Sequence, residues 1–120
     1  DYCVSRGLGD VYKRQIYHTH HGTTNAVCMP AVLQFNRSEI TDVMGHAANY
    51  LGISGGFDGF CAYVDDLNAS LGIPKKLSGL GVTNPDIDRI VKDALADPST
   101  GGNPIEMTEK NTGKLLLSIV

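Results

Sequence analysis

Three of the chain's four histidines, His18, His20 and His21, fall within four positions, beside Gly22 and ahead of a segment with helical periodicity. Neutral imidazole is the commonest nitrogen ligand of zinc and iron, so the stretch HTHHGTTNAV (residues 18–27) raises the question of a metal. A catalytic metal draws three or four protein ligands from different elements and keeps one position open. Neighbouring side chains on one short segment point in different directions, so the three histidines cannot all serve one ion. The fourth, His46, lies in the interior of the next helical segment, and no carboxylate completes an HExxH motif. On spacing alone, a polar loop entering a helix, with His21 or Thr23 as its cap, is a better reading than a complete metal site.

Other groups with chemical potential carry less. Gly52-Ile53-Ser54-Gly55-Gly56 resembles a phosphate loop in composition but lacks the GxxxxGK[ST] spacing, so a helix–helix turn is expected. Gly79-Leu80-Gly81 fails in the same way. Asp65-Asp66 reads as a solvated helix face. Ser5, Cys28 and Cys61 have no partner base in view, so no catalytic nucleophile is assigned. The three cysteines, Cys3, Cys28 and Cys61, are odd in number and form no CxxC pair. Buried, reduced thiols in a cytoplasmic protein are expected.

The elements that must position these groups are helical. Ile40, Val43, Met44, Ala47 and Leu51 form one amphipathic stripe, with Ser38 as cap and Gly52 as the left-handed stop. Phe57, Phe60, Cys61, Val64, Leu67 and Leu71 form a second, closed by Gly72 and Pro74. A third has Ile87, Ile90, Val91, Ala94 and Leu95, with Thr83 and Asp86 as a capping box around Pro85. A last helix starts at Thr108 and runs through Leu115, Leu116 and Ile119. The segment after His21 carries Ala26, Val27, Met29, Val32, Leu33 and Phe35. Pro30 inside it predicts a kink or a late start, and Asn36 ends it. Residues 97–107, DPSTGGNPIEM, read as a surface loop. No strand pattern of period two persists, so an all-α bundle of about five helices is expected.

Composition bounds the partners. The chain has 120 residues, enough for one small core, and a net charge of −3. That charge gives no electrostatic case for nucleic acid or an anionic membrane, and no apolar run is long enough to span a bilayer. Residues 1–15, DYCVSRGLGDVYKRQ, have no clear apolar stripe, and the first methionine is Met29. The chain therefore reads as a fragment.

The segment HHGTTNAVCMPAVLQFN (residues 20–36) resembles the hallmark of the iron-containing, or group III, alcohol dehydrogenases. LGIPKKLSGLGV (71–82) and DALADPSTGGNP (93–104) resemble two further motifs of that family, in the right order. Ile105 stands where the family usually has a basic residue. The resemblance implies an all-helical domain that, in the whole enzyme, faces an N-terminal α/β half binding NAD(P). A divalent metal, Fe²⁺ or Zn²⁺, sits between the halves on one Asp and three His. The resemblance places the last of these ligands on His21, and leaves His18 and His20 without a ligand role. It implies oxidation of a small alcohol to an aldehyde or ketone by hydride transfer, in a homo-oligomeric parent.

Upstream the match stops. The family's two further functional histidines fall on Gly7 and Val11, and its Pro-Leu-Gly on residues 12–14. Residues 1–15 are therefore expected to be a non-native leader similar to a translated adapter string, with residues 16–120 an incomplete metal-binding domain. The isolated chain is expected to lack activity, to expose the apolar surface meant for the missing half, and to be poorly soluble or self-associating. The competing readings are a standalone all-α interaction or metal-binding module whose arm packs Tyr2, Val4, Leu8 and Tyr12, and a fragment of a glycerol-dehydrogenase-like or dehydroquinate-synthase-like relative.

Overall fold

The computed structural model describes residues 20–120; residues 1–19 and the His21 side chain lie outside the described set. Tyr2, Val4, Leu8 and Tyr12 lie outside it too. Five α-helices follow in order: α1 His21–Phe35, α2 Arg37–Tyr50, α3 Gly56–Ser70, α4 Ile87–Ala96 and α5 Glu109–Ile119. Short 3₁₀ turns occupy Leu77–Leu80 and Pro98–Gly102. No strand occurs among the described residues. The expected all-α bundle is what forms.

α1 is the central element, because it feeds two cores. Val27, Cys28 and Val32 pack with Leu77, Val82, Ile90, Val91, Ala94, Leu115, Leu116 and Ile119. Leu33 packs with Ile40, Phe57, Cys61 and Val64 of the α2–α3 pair. A helix that is apolar on two sides is a buried helix. Pro30 neither ends nor delays it; α1 runs unbroken through Phe35. Proline has no N–H, so the carbonyl four residues earlier, that of Ala26, loses its ladder partner. The Asn68 side chain of α3 donates to that carbonyl at 2.9 Å instead.

The two glycine stops behave as expected. Gly52 (φ 74°) and Gly72 (φ 70°) adopt the left-handed conformation. Beyond each, Ile53 N donates to Ala48 O (2.8 Å) and Ile73 N to Asn68 O (2.9 Å), the paired closure of a Schellman end. The glycine-rich segment between α2 and α3 is a helix–helix turn. Arg37 then clamps the pair, 2.8 Å from Asp58 and stacked 5.0 Å from the Phe57 ring centre.

Two of the three caps of α2, α4 and α5 differ from expectation. Asn36 both ends α1 and precedes α2, so Ser38 has no capping role. Asp86, not Thr83, caps α4, its carboxylate accepting from Arg89 N at 3.1 Å. Thr108 does cap α5, in a capping box closed by Asn111. Residues 97–107 are more than a surface loop. Thr100 is buried and donates to the Ala94 carbonyl. Asn103 exchanges two 2.8 Å amide hydrogen bonds with the fully buried Asn36. A sequence rich in Gly, Pro, Ser and Asn hides such long-range pairing, because polarity alone does not say which polar groups find partners.

The apolar stripes also read too wide. Val43 (63%), Leu51 (60%) and Leu71 (65%) are largely exposed, as is Tyr50 (91%). The inward face of α2 is Ile40 and Ala48 with Met44 partly covered. The chain does expose apolar surface along α2 and α3.

Two glycines make a matched test. A Cβ on Gly59 would lie 1.9 Å from the Ser54 carbonyl oxygen, whereas one on Gly45 meets nothing within 4 Å. Gly59→Ala is expected to lower stability by about 3 kcal/mol. Gly45→Ala, in mid-helix, should raise it by about 0.5–1 kcal/mol. Urea denaturation checks both, and equal shifts in the two variants would contradict the packing described.

Candidate metal centre

The histidine segment is the entry to α1. His20 is the N-cap, with extended backbone (φ −70°, ψ 124°), and its ring accepts from Thr23 N at 3.4 Å through Nδ1. The Thr23 hydroxyl lies the same 3.4 Å from Nδ1. Thr24 is fully buried, and both its N–H and its hydroxyl donate to the His20 carbonyl at 2.9 Å. The cap is therefore His20, not His21 or Thr23. With Nδ1 accepting, a neutral His20 carries its proton on Nε2, so ligation would disturb the cap or the tautomer. His20 thus has a structural duty as the cap of α1.

His21 is the first residue of α1, and its side chain lies outside the described residues, as does the whole of His18. His46 is exposed on α2. Among the described residues, no three His, Cys, Asp or Glu side chains are grouped to hold a metal ion. The donor set present does not make a complete site, so any ion held here needs ligands from beyond the described residues. A Cβ on Gly22 would come into ordinary contact with the His20 ring, at 3.4 and 3.6 Å.

The sequence reading missed the polar groups that hold α1. Nothing in the local pattern marks Asn68, and Asn36 reads only as a helix terminator. Pro30 was the available signal: it identifies Ala26 as the carbonyl needing a new donor, but not which donor supplies it.

A family model for the C-terminal part of the Fe-containing alcohol dehydrogenase family matches residues 14–120. The chain belongs to this family. It is 34% identical over 99 residues to lactaldehyde reductase of Escherichia coli (strain K12), covering 77% of this chain and 26% of that protein. It is 31% identical over 122 residues to the NAD-dependent methanol dehydrogenase of Bacillus methanolicus, covering 96% of this chain and 31% of that one. The crystal structure of a 1,3-propanediol oxidoreductase superposes with a TM-score of 0.87 at 23% identity, over 98% of this chain and 32% of that chain. That likeness establishes the fold of an iron-containing alcohol dehydrogenase's helical part. The chain thus spans between a quarter and a third of the length of these relatives.

Asp65 and Asp66 are exposed, as expected of a solvated face. No helix among the described residues is long and apolar enough to cross a membrane.

Cys28 and Cys61 are free and buried. Burial pushes the Cys28 thiol from the ordinary 9.0 up to about 12. Burial also raises Cys61, helped by the charges of Asp58 and Asp65 and opposed by Arg37. Neither thiol is an activated nucleophile. In a chain carrying Cys3→Ser and Cys61→Ser, Cys28 should react with a disulfide reagent at pH 8 roughly 1,000-fold more slowly when native than in urea. Above pH 9 the unfolded thiol ionises while the native one stays protonated. Its contribution to stability is therefore complete below about pH 9 and is lost as pH rises toward about 12. Equal native and denatured reactivity would overturn this assignment.

Proposed function

We propose that residues 16–120 are the helical, metal-binding domain of an NAD(P)-linked, metal-dependent alcohol dehydrogenase, with His21 as its one metal ligand. The observation that carries the reading is the family match over residues 14–120, with His21-Gly22 opening the buried helix α1. Residues outside this domain supply the remaining ligands and most of the NAD(P) contacts. The ion is Fe²⁺ or Zn²⁺, since one imidazole suits both. When bound, it supplies Lewis acidity that stabilises an alcohol oxygen as alkoxide.

What this chain's residues do is position. His20 caps α1 through Nδ1 and so sets the direction from which His21 starts the helix. The cores on both sides of α1 hold the helix against movement. The substrate class is a small alcohol or its aldehyde or ketone, by analogy with the relatives named for lactaldehyde and methanol. The parent enzyme is a homo-oligomer and cytoplasmic in this reading. Alone, the chain is inactive in this reading, because the remaining ligands and most of the NAD(P) contacts lie outside residues 16–120.

A chimaera tests the assignment. Residues 16–120 replace the matching part of Escherichia coli lactaldehyde reductase, and bound metal and NADH-linked activity are measured. His21→Ala is expected to lose most of the metal and about 100-fold or more of the activity. His20→Ala should keep the metal and lose mainly thermal stability. Full metal retention in His21→Ala would remove the ligand role.

The domain boundary has its own test. The family model's match begins at residue 14, which supports a start near residue 16, while the alignment with the methanol dehydrogenase spans 96% of the chain and crosses that point. If residues 1–15 are a leader foreign to the fold, deleting them shifts Tm by no more than about 2 °C. A loss of a native arm would cost about 4–8 °C per kcal/mol removed. Thermal unfolding followed by circular dichroism separates the two.

A further inference from the structure

Pro30 removes one bond from the hydrogen-bond ladder of α1, the one to the Ala26 carbonyl. From Val27 onward the helix is fixed by apolar packing: Val27, Cys28, Val32 and Leu33 are all buried in the two cores. Upstream of Val27, the one fully buried side chain among the described residues is Thr24, which bonds locally to His20. Among the described residues, the first turns of α1 therefore have little apolar anchorage, and one bond of their ladder is missing below them, at the Ala26 carbonyl.

Asn68 bridges this gap from another helix. Its Nδ2 donates to Ala26 O at 2.9 Å, across 42 residues of sequence. Asn68 is itself held at the end of α3, where its carbonyl accepts from Ile73 N at 2.9 Å in the Gly72 closure. Beside it runs an open groove of about 420 Å³, lined by Val27, Pro30, Ala31, Asn68, Ala69 and Ile73 among others. An unmade hydrogen bond at a partly covered carbonyl is costly, and Asn68 supplies the donor from within the fold.

We propose that Asn68 is a positioning residue for the N-terminal turns of α1: it replaces the bond Pro30 removes and ties the His21 end of the helix to α3. Its consequence for metal binding rests on the reading of His21 as a ligand. Ala26 lies five residues from His21, about 7.5 Å along the helix axis. The register of the His21 end is thus taken from α3 through one amide, rather than from the ladder of α1 alone.

The test is amide hydrogen exchange in the full 120-residue chain, with Asn68→Asp, which keeps the shape and removes the donor. Protection at residues 24–28 is expected to fall about tenfold, with much smaller changes at Ile90 and Leu116, which report the main core. Pro30→Ala restores an N–H for the Ala26 carbonyl, so in that background Asn68→Asp should change residues 24–28 by no more than about twofold. A uniform loss of protection, or an undiminished effect in the Pro30→Ala chain, would overturn the proposal. If Asn68→Asp alone does not fold, folding of the double variant supports it, and failure of both overturns it. The ligand reading is decided separately. In the chimaera, Asn68→Asp should weaken metal affinity about tenfold, with recovery in the Pro30→Ala background; unchanged affinity would remove the link to His21. Should His21→Ala keep its metal, the ligand reading falls alone and the exchange result still stands.

Discussion

Burial of α1 on two sides is the constraint on which the rest of the domain depends. Val27, Cys28 and Val32 complete one core with α4, α5 and the Leu77 turn, while Leu33 completes another with α2 and α3. Each helical pair alone exposes a face with nothing to cover it. Packing of this kind overrides local preference, which is why a proline in mid-helix neither breaks α1 nor moves its start. The main-chain cost of that proline is met by a polar contact, not an apolar one.

Polar pins of this sort recur. The Asn36–Asn103 amide pair joins the α1–α2 junction to the segment before α5, and Asn103 also holds the Ile105 carbonyl at 2.7 Å. Thr100 ties the second 3₁₀ turn to α4. Buried amides are costly unless satisfied, and when satisfied they select one arrangement over near alternatives. They explain how a segment rich in Gly, Pro and Ser holds a defined path. Surface ion pairs contribute less: Arg37–Asp58 is solvent-exposed, and its value lies as much in the stacking of Arg37 on Phe57.

The functional reading follows from this architecture. A family of oxidoreductases is represented here by its helical part, and the chain spans between a quarter and a third of the relatives it matches. In the proposed role the domain contributes a rigid helix that begins with a ligand, and leaves the rest of the donor set to residues beyond it. A ligand at a helix start is held by main-chain geometry and by the cap before it. His20 and His21, adjacent in sequence and identical in chemistry, thereby take separate duties.

The sequence by itself determined the five helices of the described residues, the two glycine stops, the Thr108 start and the family. Each depends on local periodicity, left-handed backbone or a short ordered motif, all readable along the chain. The proposal of His21 over its neighbours as ligand rests on the motif and not on spacing. Tertiary structure alone decided which caps are used, with Asn36 and Asp86 displacing Ser38 and Thr83, and His20 taking the cap expected of His21 or Thr23. It decided that Val43, Leu51 and Leu71 face outward, and that Asn68 answers Pro30. The reason is common to all of these. A side chain's hydrophobicity or hydrogen-bonding capacity is a property of its type, but the partner it meets is set by how helices far apart in the chain come to lie together.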